Sequence, residues 1–241
     1  MIDPVYTLIM AAAVLAGGVV LHRSQRSLPI DRTDRLAIGF AAFCGAMIGS
    51  KAPFVLAGDA AWWSAPAWLA NGKTILAGLV GGYLAVELAK WALEIRTKTG
   101  DSFAPAVAVA VAIGRLGCFR AGCCYGVPTD APCGVVFPLA DQLPRHPTQL
   151  YEAAFHAVMA IVLITLQRRG LFRGQLLKLY IMTYAVYRMA TETVRPEPTY
   201  IAGLTVYQVA CVLLIPIFAF LWWRDARYSH LPTGPQLDPI E

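Results

Sequence analysis

Charge is what this chain has least of. Asp, Glu, Lys and Arg make up 15% of its 241 residues, against about 25% in an ordinary soluble domain. That is too little to cover a water-facing surface. The 57% hydrophobic content and the mean hydropathy of +0.55 point the same way. A basic n-region is also missing. In MIDPVYTLIMAAAVLAGGVVL the first cations, Arg23 and Arg26, follow the apolar run, which favours a retained helix over a cleaved signal peptide. No basic run is interleaved with aromatics, so a nucleic-acid partner is not expected. The net charge of +5 bears instead on membrane orientation. No internal repeat is visible, which removes support for inverted-repeat transporter folds.

What is there is a series of apolar runs. A bilayer core takes about 20 apolar residues per helix. Seven segments meet or approach that length: Pro4–Leu21, Leu36–Ser50, Thr74–Leu93, Phe103–Phe119, Thr148–Leu166, Gln175–Val194 and Gly203–Trp223. The second is short and either continues past Lys51 or meets a partly inserted segment at WWSAPAW, where Trp62, Trp63 and Trp68 suit an interfacial belt. The expected fold class is all-α, a polytopic integral membrane protein of about seven transmembrane helices. It forms one domain over residues 1–228 with a short Pro-rich tail at 229–241. Eleven cations on alternate loops (Arg23, Arg26, Arg32, Arg35, Arg96, Lys98, Arg168, Arg169, Arg173, Arg224, Arg227) face five on the others (Lys51, Lys73, Arg120, Arg145, Arg195). The richer side should be cytoplasmic, which puts the N-terminus outside, the C-terminus inside, and the loop at about 120–147 outside. Loops of that length usually serve a function.

Ionisable groups inside apolar segments are costly and mark function or pairing. Arg115 lies near the outer end of the fourth span. Glu152 and His156 are four apart on the fifth. Arg188, Glu192 and Arg195 follow an i, i+4, i+7 pattern on the sixth, which would put them on one face. As a structural set, these are ion pairs that fix helix packing, with Glu192 bridging its two arginines. Taken together with Arg145 and His146 they gather at the outer half of the membrane with cations in excess. Such a cavity suits a lipid phosphate, which the arginine fork can grip. Pro147 suits the first turn of the fifth helix. Glu87 and Lys90, one turn apart, read as a structural pair.

Cys118, Cys123, Cys124 and Cys133 fall in or beside the long loop, while Cys44 and Cys211 read as packing residues. A structural disulfide, free thiols and a metal site all remain open for the loop cysteines. C-x4-C-C-x8-C is not a common zinc spacing, so neither a metal nor a cofactor is expected.

GRLGCFRAGCCYG, RHPTQLYEA, YRMATETVRPEP and GLTVYQ occur in this order over the last four spans. The series resembles the prolipoprotein diacylglyceryl transferase family, and RHPTQLYE carries most of the likeness. The resemblance implies seven spans in the bacterial inner membrane. It also implies transfer of a diacylglyceryl group from phosphatidylglycerol to the lipobox cysteine thiol of a prolipoprotein, with release of glycerol phosphate. Membrane lipids, phosphatidylglycerol and the lipobox peptide are the implied partners. Arg115 and Arg188 would hold the phosphate, with Glu192 orienting Arg188. His146 or Glu152 would supply the base, and Arg145, Gln149, Tyr151 and Arg195 would line the site. Gly114, Gly117, Gly122 and Gly126 would let backbone approach the lipid.

Three departures stand out. The family's third helix usually carries a histidine where this chain reads Ile75, Leu76, Ala77, Gly78. An asparagine is replaced by Cys118, and an acidic residue by a cysteine at about Cys123. The rivals are a same-fold transferase with another acceptor, a membrane thiol oxidoreductase using the loop cysteines, and a lipid-binding protein without chemistry.

Overall fold

The computed structural model describes residues 3–57, 64, 68, 74–138 and 140–228. Among the described residues the principal α-helices are α1 (Pro4–Gln25), α2 (Arg32–Ala57), α3 (Ile75–Ala92), α4 (Gly100–Arg120), α5 (Thr148–Arg168), α6 (Leu176–Thr191) and α7 (Val206–Tyr228). Six of them are long and apolar enough to cross a membrane. The remaining one, α6, has 16 residues, which at 1.5 Å per residue is about 24 Å, short of a bilayer core of roughly 30 Å.

The second helix runs through Lys51 and Pro53 to Ala57 and so is longer than its apolar run. The tryptophan segment, apart from Ser64 and Trp68, lies outside the described residues, as does the tail at 229–241.

Burial sorts the helices. Along α6, Leu176, Tyr180, Ile181, Tyr184 and Ala185 are all buried. Apart from exposed Val186 and Ala190, this helix is enclosed by the others, which is why it can be short and can carry Lys178 and Arg188. The outer helices instead expose large apolar groups, among them Leu8 and Leu15 of α1, Phe40 and Leu56 of α2, and Ile217 and Phe220 of α7. In water that much exposed hydrocarbon would drive aggregation, whereas facing lipid it is matched.

Helix contacts use small residues, as expected where lipid gives no hydrophobic drive to association. The α2–α3 pair closes over Gly49 and Gly81, and a Cβ on Gly49 would sit 2.5 Å from the Ala77 carbonyl oxygen. At the other seam α1 lies against α4, with Gly17 on Ala106 and Ala110.

Polar ties close one end of the bundle. The Asp101 carboxylate accepts the Leu176 N–H at 3.0 Å, and Lys178 of α6 pairs with Asp225 of α7 at 2.7 Å. Lys90 and Glu87 form the expected local pair at 3.1 Å.

The opposite end holds two antiparallel β-pairs. β1 (Val135–Val136) pairs with β2 (Pro144–Arg145), joining Val135 to Arg145 and Val136 to Pro144. β3 (Thr199–Ile201) pairs with β4 (Leu204–Thr205).

Candidate active site

Glu152 is the hub. It lies one turn into α5, fully buried, and meets groups from three other segments. Arg115 Nε of α4 pairs with its Oε2, Arg195 Nη2 pairs with its Oε1 at 2.7 Å, and the Tyr184 hydroxyl of α6 donates to Oε1 at 3.0 Å. Below it on the same face, His156 is also buried, with Nδ1 2.7 Å from the Tyr180 hydroxyl.

Arg195 reaches Glu152 because it is not on the helix. The sixth helix stops at Thr191 and tightens into a 3₁₀ turn, Glu192–Val194, after which Arg195 is extended. Pro196 follows, and a residue before proline is pushed out of the α region. The expected common face for Arg188, Glu192 and Arg195 is therefore corrected, as is Glu192 bridging two arginines. Glu192 Oε2 pairs with Arg188 Nη2 at 2.9 Å, and its Oε1 accepts from the Thr205 hydroxyl at 2.6 Å. The Arg188 guanidinium lies over the Tyr207 ring, 4.4 Å from its centroid, and Glu197 is 3.8 Å from Nη2.

The loop after α4 begins with a left-handed residue, Gly122, at φ +63°. The Gly122 N–H reaches the Phe119 carbonyl at 3.1 Å and the Cys123 N–H the Cys118 carbonyl at 3.2 Å. That double bond is the Schellman helix end, which folds the second residue past the cap back over the last turn. Cys123 therefore returns onto Cys118, and the sulfurs of Cys118, Cys123 and Cys124 all lie within 4.8 Å of one another. Arg115 Nη1 is 3.8 Å from the Cys118 sulfur.

The three thiols do not share their protons equally. Hydrogen bonding by Cys118 and Cys123, aided by Arg115, pulls the Cys124 thiol far below its ordinary range. Hydrogen bonding to Cys118 and Cys124 pushes the Cys123 thiol up.

The start of α5 clamps this loop. Thr148 Oγ1 donates to the Cys124 carbonyl at 2.7 Å, and Gln149 Nε2 to the Cys123 carbonyl at 2.6 Å. Pro147 takes the N-cap position, one residue before the expected first turn. The Tyr151 hydroxyl is 3.2 Å from His146 Nδ1 and 3.2 Å from the Cys133 sulfur, so Cys133 stands apart from the other three thiols. Arg145 turns its fork on Asp141 and donates from Nη1 to the Gly126 carbonyl at 3.2 Å. The Arg145 hydrogen bond holds the Asp141 carboxyl below its usual range.

Of the glycines, Gly117 and Gly126 stand at close contacts. A Cβ on Gly117 would touch Met10 Sδ at 3.3 Å and Ile9 Cγ2 at 3.4 Å, and the space beside Gly114 also meets Met10. Both sit against α1. Gly126 lies where the loop crosses the chain after α6, and a Cβ there would collide with the Val194 carbonyl and stand 2.8 Å from His146 Cβ.

The expected cationic excess also needs correction. Arg115 and Arg195 share Glu152, Arg188 has Glu192 and Glu197, and Arg145 has Asp141. Four arginines thus meet four acids, two of which the reading of the helices alone left out. Glu197 stands in the quoted RPEP and Thr205 in GLTVYQ, so both were within reach. Tyr184 sits four before Arg188 on one helix face. Two open clefts of about 600 and 680 Å³ lie at the other end, beside Arg35 and Arg96 and beside Asp101 and Gly174. The carboxylates of the arginine–carboxylate centre, Glu152 and Glu192, are buried.

A bundle of apolar helices around buried arginine–carboxylate pairs, beneath a thiol-bearing loop, defines a polytopic membrane protein with a polar site at one end. The sequence model for prolipoprotein diacylglyceryl transferase matches residues 4–224, and this chain belongs to that family. It is 30% identical over 246 residues to the phosphatidylglycerol–prolipoprotein diacylglyceryl transferase of Geobacter sulfurreducens, covering 95% of this chain and 92% of that protein. The Pseudomonas aeruginosa protein of the same name is 31% identical over 240 residues, 90% and 88% of the two chains. That of Clostridium tetani is 29% identical over 204 residues, 80% and 81%.

Proposed function

We propose that this chain transfers a diacylglyceryl group from phosphatidylglycerol to the lipobox cysteine thiol of a prolipoprotein. In that reaction the thiol sulfur attacks the glyceryl carbon and a C–S bond forms. The C–O bond to phosphate breaks, its electron pair stays on the phosphate oxygen, and glycerol phosphate leaves. A base must take the thiol proton, because the thiolate is the nucleophile.

The observation that carries the reading is Arg188. Its Nη1 is buried without a hydrogen-bond partner among the described residues, on a side chain already fixed by Glu192 and Tyr207. A fixed donor in a dry site is what a departing phosphate needs. Arg115 is the second grip. Both must exchange a carboxylate for the lipid phosphate, so Glu152, Glu192 and Glu197 hold the empty site neutral. His146, oriented by Tyr151, is the base, since α3 offers none at Ile75 to Gly78. Gln149 shapes the loop, Arg195 holds Glu152 in place, and Arg145 ties the rim. The Arg145 contacts with Asp141 and Gly126 support that last role.

We place the single transmembrane domain, residues 1–228, in the bacterial inner membrane with its N-terminus outside and its tail in the cytoplasm. The cation bias among the loops supports this orientation. The loop thiols and the lipobox peptide then meet on the same side.

The deciding experiment is complementation of a conditional strain depleted of its own diacylglyceryl transferase, with lipoprotein modification followed by gel shift. Rescue of growth with a lipidated product is expected. Growth failure with the protein inserted in the membrane and the lipoprotein unmodified would overturn the reading.

A further inference from the structure

The thiols of Cys118, Cys123 and Cys124 are absorbed neither by helix packing nor by the phosphate grip. Their linear spacing is not a common metal pattern, but the helix end makes it one in space. The Schellman turn lays Cys123 over Cys118, and Cys124, left-handed at φ +61°, turns its sulfur to 3.8 Å from that of Cys123. Three ligands at about 2.3 Å from a tetrahedral zinc stand roughly 3.8 Å apart. The three sulfurs here are within 4.8 Å of one another, so a contraction of under about 1 Å closes the site. The carbonyls of Cys123 and Cys124 are held by Gln149 and Thr148 at 2.6 and 2.7 Å. These backbone clamps fix the ligand-bearing turn before any ion arrives.

We infer that Cys118, Cys123 and Cys124 form a three-thiolate site for a thiophilic d¹⁰ cation, Zn²⁺ in the first instance, whose open fourth position takes the acceptor thiol. Thiolates select such ions, and a structural zinc would be closed by a fourth protein ligand, whereas a catalytic one keeps a position open. Among the described residues the cluster contains these three ligands and no histidine or carboxylate. Three thiolates on a divalent ion leave one net negative charge, and Arg115 Nη1 lies 3.8 Å from the Cys118 sulfur to balance it.

A thiol entering the fourth position is acidified on coordination and hands its proton to His146, the base assigned above, which is one of the ways a nucleophile is activated. The bound thiolate then sits beside the arginine assigned to the phosphate. Sulfur attacks the glyceryl carbon, the C–O electron pair goes to the phosphate, and the thioether is released from the metal. The ion thereby lowers the demand on His146 as base, on a chain whose third helix offers none. That role rests on the transferase reading for the identity of the thiol, but the metal site stands on geometry alone.

The test uses the reduced, full-length protein in detergent, stripped of metal and titrated with Cd²⁺. One ion per chain is expected, with an ultraviolet sulfur-to-cadmium band. That band should be lost in C118S, C123S and C124S and kept in C133S. A lipobox peptide should raise the band by about a third, as a fourth thiolate joins three, and a peptide with serine in place of the cysteine should leave it unchanged.

On the wild type alone, Zn²⁺ should protect three thiols from alkylation, which guards against variants that fail to fold. Chelated enzyme should lose transfer at least a hundredfold and regain it with Zn²⁺. A disulfide within the trio in freshly isolated protein, or no band and no protection, would overturn the site. A band that ignores the peptide, or chelated enzyme at full rate, would overturn the open-position role while leaving the transferase reading intact. Metal binding with no transfer under any condition would count against the transferase reading instead.

Discussion

Arg195 leaves the end of the sixth helix and closes on Glu152 of the fifth at 2.7 Å, although 43 positions of sequence separate them. Arg115 holds the other oxygen of the same carboxylate. Removing the carboxylate leaves two buried guanidiniums facing each other, and breaking a buried pair typically costs about 3–5 kcal/mol. Glu152→Gln should therefore lower thermal stability in detergent far more than Gln149→Ala, read by intrinsic tryptophan fluorescence. A double-mutant cycle with Arg195→Met should recover part of the loss, because the second change removes one stranded charge. Stability of Glu152→Gln equal to wild type would show that the hub does not hold the helices together.

The phosphate grip gives the second expectation. Lysine keeps the charge of arginine but not its planar fork. Losing one charge-assisted donor to a developing charge in a dry site costs about 3 kcal/mol, on the order of a hundredfold in rate. Arg115→Lys and Arg188→Lys should each fall by that order in a phosphatidylglycerol transfer assay. Wild-type rates in both would remove the fork from the mechanism.

Much of this was legible in the sequence, for identifiable reasons. Long apolar runs announced the helices, because lipid demands them. The buried charges drew attention to one end of the bundle, because a charge in lipid is costly unless it is paired or functional. What stayed hidden was pairing across segments. Helical periodicity placed Arg195 on the face of Arg188, and only the proline after it hinted that the helix would already have ended. The excess of arginine was misleading because Asp141 and Glu197 lie in loops, where an acid's partner across segments does not show in the sequence. The thiol trio was hidden in another way. Its spacing matches no linear motif, yet a glycine just before Cys123 is the mark of a helix end that brings Cys123 back to Cys118.

Glu197 carries the third expectation. It lies 3.8 Å from Arg188, the longest of the ion pairs at this end, and burial pushes its carboxyl above the ordinary range in spite of Arg188. When ionised, it competes with the lipid phosphate for the same guanidinium. Because folding raises its pKa, the fold favours the protonated form. That contribution to stability is full below the unfolded value of about 4.3 and is lost as pH rises through the folded value. Acidification therefore neutralises Glu197 earlier than a free carboxyl and releases Arg188. KM for phosphatidylglycerol should fall as pH is lowered from neutrality toward the carboxylate range, and in Glu197→Gln it should be low and flat throughout. An identical pH profile in the variant would clear Glu197 of any part in lipid binding.

The last expectation separates the base from the grip. His146 is fixed by its backbone, with the Gly126 N–H donating to its carbonyl at 2.8 Å and its own N–H reaching the Val127 carbonyl at 3.1 Å. Its ring is aimed by the Tyr151 hydroxyl, 3.2 Å from Nδ1. One ring nitrogen is thus occupied, while among the described residues Nε2 has no hydrogen-bond partner, an arrangement that suits proton transfer. General-base removal typically costs about 10²–10⁴-fold in rate, so His146→Ala should lower kcat by that order and leave KM for phosphatidylglycerol nearly unchanged. Tyr151→Phe should produce a smaller fall of the same kind, since it loosens the ring without removing it. An acceptor peptide supplied at high pH, already largely thiolate, should restore much of the rate to both variants, because a nucleophile that has lost its proton needs no base. Arg188→Lys should gain nothing from the same treatment. If His146→Ala instead raised KM and kept kcat, the imidazole would belong to lipid binding, and thiol activation would have to come entirely from elsewhere in the site.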